Sequence, residues 1–92
     1  MSKERSKTQK TVERLCRKHG FIVTVTPKNL NLYFRIINPD TAKIVFLVRN
    51  EMYYGKKRRR WYEVVCPEDC FFMSYDTLQE AFKQVVFLLN SV

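Results

Sequence analysis

Acidic residues are scarce in this sequence, nine Asp and Glu against 17 Lys and Arg, and so are glycine (two), proline (three), cysteine (three) and histidine (one). The shortage of acid leaves a formal net charge of +8 at pH 7. That excess attracts polyanions over about one Debye length, ~10 Å in ordinary buffer. So little Gly and Pro argues against low complexity and long disordered stretches. No run approaches the ~18 apolar residues that cross a bilayer, so no membrane partner is expected. The N-terminus is polar and has no apolar h-region, which reads as no secretory signal and sets cytoplasmic residence as the expectation. An odd number of cysteines in an unexported chain reads as free thiols rather than a disulfide framework.

Catalytic chemistry is also thinly provided. It needs a base, a nucleophile or a metal cluster, and the carboxylates are scattered while the single histidine, His19, stands at a predicted helix C-terminus, where capping or packing is its default role. The expectation is a binding protein without enzymatic activity or cofactor. One constellation competes with this. Cys16-x-x-His19 and Cys66-x-x-x-Cys70 together supply four zinc-competent ligands, against which stands the place of Cys16 on an inward helix stripe, where cysteine is a common small core residue. Glu68-Asp69 reads as loop solvation.

What the sequence does have is enough apolar side chain, 46% with seven Phe, five Tyr and one Trp in 92 residues, to build one core near the lower size limit of a domain. Residues 1–7 lack apolar anchors and read as a basic flexible tail, leaving residues 8–92 as a single α+β domain. Thr8, Val12, Leu15, Cys16 and His19 form a narrow apolar stripe that predicts a helix over 8–19, ended by Gly20. Strands follow over 21–26, 30–37, 43–49 and 59–65. Leu32, Phe34 and Ile36 face inward in the second, and the apolar middle of the third reads as a strand covered on both faces. Asn38-Pro39-Asp40-Thr41 is turn chemistry, residues 53–57 are a hairpin connection, and Pro67 closes the fourth strand. Thr77 with Glu80 is a capping box for a last helix whose inner face is Leu78, Ala81, Phe82, Val85, Leu88, Leu89 and Val92. The predicted architecture is α-β-β-β-β-α, a four-stranded antiparallel meander with both helices packed on one face.

That order loosely resembles the α-β-β-β-α outline of the double-stranded RNA-binding domain. The family sets lysines at the start of its last helix, where this chain has Ser74-Tyr75-Asp76-Thr77-Leu78-Gln79, so the resemblance carries over neither function nor site.

The positive charge is concentrated in two places. Within residues 1–19, Lys3, Lys7, Lys10, Arg14 and Arg17 step by four, three, four and three, drawing a ridge along one helix side, roughly 150° from the apolar stripe at ~100° per residue; Lys18 lies beside it. Like charges a turn apart cost a few tenths of a kcal/mol each, and a solvated helix face ordinarily mixes signs. The second place is the run Lys56, Lys57, Arg58, Arg59 and Arg60, flanked by Tyr54 and Trp61. Repulsion holds such a run extended and exposed unless an anion neutralises it. Arginine's planar fork suits phosphate and lysine adds point charge, while the aromatics can stack on bases or support the hairpin; for Trp61, packing in the core or at a sheet edge is the commoner fate. The run also matches a nuclear-import signal if the host has a nucleus.

A basic hairpin beside a basic helix ridge can clasp a nucleic-acid backbone, DNA or RNA, and nothing points to base-specific readout. Six to eight neutralised phosphates would give a log–log salt slope of about −5 to −7 on duplex DNA. The competing expectation is a protein-binding inhibitor or adaptor, of the kind a phage or mobile element uses against host machinery, docking the same surface on an acidic or nucleic-acid-binding groove. Phe87, opposite the apolar face of the last helix, with Val86 at its boundary, is a candidate protein interface or homodimer contact.

Overall fold

A computed structural model describes residues 3–91, with side chains from residue 7 onward. The chain runs α1 (Lys3–His19), β1 (Ile22–Lys28), β2 (Asn31–Asn38), β3 (Lys43–Tyr54), β4 (Lys57–Cys66), a 3-10 turn (Pro67–Asp69), β5 (Phe71–Tyr75) and α2 (Leu78–Asn90). The strands form one antiparallel sheet in sequence order, a meander. Both helices pack into a single core on one face of it. The α+β architecture is therefore the one predicted, with one strand more than expected.

α1 starts at Lys3 rather than at Thr8 and buries Thr8, Val12 and Cys16. Its end is a Schellman motif: the Phe21 N–H donates to the Cys16 carbonyl (2.8 Å) and the Gly20 N–H to that of Arg17 (3.1 Å). Gly20 has φ +75° with open space around it. Glycine is needed there for its backbone conformation, not for room.

The sheet contributes Leu32, Phe34, Ile36, Val45, Leu47, Val64 and Cys66 to the core. β1 is an edge strand, and it tolerates Pro27 for that reason. The apolar run of β3 does not reflect coverage on both sides. Val45 and Leu47 are buried beneath the helices, whereas on the opposite face, which no helix covers among the described residues, Ile44 and Phe46 are only half-buried and Val48 is buried in the row of Tyr33 and Glu63.

β5 is the unpredicted strand. Pro67 does end β4, but it also opens the 3-10 turn, and Cys70 in the left-handed region (φ 52°) reverses the chain so that Phe71–Tyr75 pairs back on β4. α2 is capped as expected, with the Thr77 hydroxyl accepting from the Glu80 N–H (3.2 Å). That hydroxyl donates to the Glu80 carboxylate (2.9 Å), closing the box through the side chain. Ala81, Phe82, Val85, Leu88 and Leu89 are buried as predicted; Val92 lies outside the described residues.

The C-terminal end of α2 is tied to the β2–β3 turn. The Asn38 side-chain amide donates to the Leu89 carbonyl (2.9 Å), one of the carbonyls a helix end leaves without an intrahelical partner. Buried Lys43 donates to Asp69 (2.7 Å) and to the Ser91 carbonyl (3.4 Å). Asp69 is thus an ion-pair partner and not simply a solvated loop residue. Its carboxylate, first as hydrogen-bond acceptor and then as charge, holds the Lys43 pKa above its ordinary value against the opposing effect of burial.

Candidate functional site

β3 and β4 outrun their neighbours. β2 pairs with β3 only as far as Leu32 opposite Arg49, and β5 pairs with β4 only as far as Tyr62 opposite Tyr75. Residues 50–54 and 57–61 continue as a two-stranded arm that pairs only with itself. Gly55, the first of its two turn residues, has φ +62°, at the position where a II′ hairpin turn takes glycine.

The arm carries the cationic run, and strand alternation divides it. Arg58 and Arg60 share a face with core-facing Tyr62, on the helix side; Lys57 and Arg59 share a face with Trp61, on the uncovered side. Lys56 is in the turn and exposed. The five cations therefore do not form one patch. Nor are all of them without an internal anion: Glu51, opposite Arg60 in the ladder, accepts from its Nη2 (2.6 Å) and Nε (3.2 Å) and lies 3.9 Å from Arg58. Burial pushes the Glu51 carboxyl up, but the hydrogen bond and charge of Arg60, with the charges of Arg49 and Arg58, outweigh it and hold the pKa below the usual value.

Arg49 had no place among the expected site residues, yet it anchors the arm. It is 2% exposed and donates to the Thr8 hydroxyl (3.1 Å) and the Leu30 carbonyl (3.4 Å). Thr8 thus serves as an acceptor as well as part of the inner stripe. Asn31 adds a further tie, its side-chain oxygen accepting from the Glu51 N–H (3.0 Å). The sequence signal for these residues was weak: an Arg and a Glu next to an apolar strand and a cationic run.

These ties bring the start of α1 to the arm. Lys7, Thr8 and Thr11 of α1 line one cleft with Arg60 and Leu78, about 280 Å³ in volume. From Lys7 the ridge Lys10, Arg14 and Arg17 is exposed, as is Lys18. It leads away from the arm by ~15 Å between Lys7 and Arg17 at 1.5 Å per residue. The side chain of Lys3 lies outside the described residues.

Among the aromatics, Tyr54 is 60% exposed at the arm tip. Trp61 is half-buried on the uncovered sheet face, outside the core, with the Arg59 guanidinium 5.0 Å from its ring centroid, a cation–π distance. On α2, Phe87 is 67% exposed, whereas Val86 packs against the core and does not extend a patch around it.

The four zinc-competent residues do not assemble. No group of three or more His, Cys, Asp or Glu is placed to hold a metal among the described residues. Cys16 and Cys66 are buried, Cys70 is exposed, and all three are free thiols. Burial, helped by the charge of Glu13, pushes the Cys16 thiol up to about 12, so it stays protonated. His19 is exposed and stacks on Phe21 at 5.6 Å, closing the end of the core as a packing residue.

Compared with known proteins, the chain matches no family model, no curated protein and no solved structure.

Proposed function

We propose that this chain is a small nucleic-acid-binding module directed at the phosphate backbone, a regulatory protein rather than an enzyme. One observation carries the reading. A cationic arm projects beyond its sheet, and Lys7, the first ridge cation whose side chain is described, shares a cleft with Arg60 at the arm's base. Lys56, Lys57 and Arg59 are exposed and, among the described residues, make no ion pair. Fixed cations displayed this way release condensed counterions when they meet a phosphate chain. Because Glu51 holds Arg58 and Arg60, about four to six phosphates are engaged, for a salt slope of about −4 to −5.

The test is titration of labelled duplex and single-stranded DNA and RNA at two salt concentrations, with Lys56/Lys57/Arg59→Ala as control. That variant leaves the Glu51–Arg60 contact in place. Salt-sensitive binding that the variant loses supports the reading, and absence of binding to every nucleic acid at low salt removes it. A second reading, an inhibitor or adaptor, docks the same exposed cations on an acidic protein groove. It gains if nucleic acids fail. Cytoplasmic residence belongs to either reading; no helix among the described residues is long and apolar enough to cross a membrane.

A further inference from the structure

Because both helices pack on one side, no helix among the described residues covers the other face of the sheet, and aromatics and cations stand among the polar side chains there. Ladder register and alternation put Lys28 and Trp61 on it in the row next to the arm, Tyr33 in the following row with Val48 and Glu63, and Arg35 one row further with Phe46 and Val65, while Arg59 extends the face onto the arm. Lys28, Arg35 and Arg59 are exposed, and Tyr33 is 38% exposed. Glu63 is the one carboxylate on the strands of this face among the described residues; it stands in the row of Tyr33 and Val48 and accepts a hydrogen bond from the Asn50 side chain, which leaves Arg59, Arg35 and Lys28 to outnumber it. We infer that this face binds single-stranded nucleic acid, with bases stacking on the Trp61–Arg59 pair and on Tyr33. The inference rests on the nucleic-acid reading above and names its substrate class.

Three features support a single strand. First, Arg59 is already seated on the Trp61 ring and is itself exposed. A guanidinium plane takes an aromatic on each side, so its outer face is a ready stacking surface for a base. Second, Tyr33 on β2 and Trp61 on β4 are two strands and two residues apart, about 12 Å by sheet geometry, close enough for one short strand to cross both. The bases of an intact duplex are held in their own stack and cannot lie flat on such a platform. Third, the charge gives the strand a direction. Beside Trp61 and Arg59, a cleft of about 360 Å³ is walled on its far side by Asp76 and Glu80, which repel phosphate. Towards β2 and β1 stand Arg35 and Lys28. A strand therefore leaves Trp61 across the sheet towards Tyr33, away from β5.

Trp61 is the sole tryptophan, so its fluorescence reports the contact directly. The experiment titrates the protein with oligo(dT) of about 12 nucleotides, within the footprint of single-strand-binding domains, with a duplex of that length, and with an abasic sugar–phosphate strand carrying the same number of phosphates. Oligo(dT) should quench Trp61 and bind at least about tenfold more tightly than the abasic strand, as one or more stacked bases require. Tyr33→Ala should remove part of that advantage, leaving the quenching of Trp61 in place and the abasic affinity unchanged, and Tyr33→Phe should preserve it. Equal affinities for the abasic strand and oligo(dT), with Trp61 unquenched, overturn the stacking inference and leave phosphate binding standing. If none of the three binds at low salt, the nucleic-acid reading itself falls.

Discussion

Arg60 donates two hydrogen bonds, from Nη2 and Nε, to one carboxylate oxygen of Glu51 across the β3–β4 ladder. This contact turns what looks like an uninterrupted cationic run into a braced arm, with one anion set among Arg49, Arg58 and Arg60. It divides the cations into those that hold the arm and those left to meet a ligand.

Glu51→Gln tests that division. The Glu51 side chain is 8% exposed, and losing the anionic partner of a charged hydrogen bond at such a site costs roughly 1–3 kcal/mol. Urea denaturation should show that loss while polyanion affinity rises, since Arg58 and Arg60 are released. The folded pKa of Glu51 is depressed, so its contribution is complete above the unfolded value of about 4.5 and disappears as pH falls through the lower folded value. The acid limb of the stability curve should therefore be flatter in the variant. An unchanged curve would show that the pair does not contribute to stability.

Lys43 acts at the opposite end of the pH scale. Its pKa is raised by Asp69, so the stabilisation is fully present below the unfolded value of 10.5 and is lost as pH rises through the folded value. Asp69→Asn should lower Tm at neutral pH and bring it closer to wild type above that range. A Tm difference that does not change with pH would assign the effect to packing.

Thr8→Val keeps the shape of the side chain and removes the acceptor for Arg49. About 1–3 kcal/mol of stability should go, the usual cost of leaving a buried donor short of a partner. Hydrogen exchange should accelerate in the first half of α1 before it does in β2–β4. Uniform acceleration throughout the chain would mean that Arg49 does not dock the helix on the arm.

The cysteines should separate by reactivity. Cys70 is exposed, whereas Cys16 and Cys66 are buried and the Cys16 thiol is pushed up to about 12. Thiolate is the reactive form, so a thiol reagent at pH 8 should modify Cys70 promptly in the native protein and reach the other two only on unfolding. Rapid modification of all three would contradict the packing of α1 and β4.

α2 was legible because its signals are local: a capping threonine, a glutamate three residues later and an apolar face at helical spacing, all within a few turns. The end of α1 was legible for the same reason, since a glycine follows an apolar stripe. β5 was not. Phe71-Phe72-Met73-Ser74-Tyr75 shows no alternation because Phe72 and Met73 are both exposed on a sheet edge, 60% and 49%. The reversal that creates the strand also depends on a cysteine in a left-handed conformation, which its residue type does not advertise. The apolar run of β3 misled for a related reason, because an uncovered sheet face here carries Ile44 and Phe46 where polar residues are usual.

By itself the sequence determined the charge of the chain, the placement of its cations in two segments and the helical ridge that orders the first of them, because composition and periodicity are properties of neighbouring residues. Tertiary structure decided how the second segment is shared between two faces, which cations Glu51 holds, and that Lys7 and Arg60 line one cleft at the base of the arm. Those outcomes depend on strand register and on which side of the sheet the helices pack. Both are fixed by burial of the whole core, and no single segment contains that information.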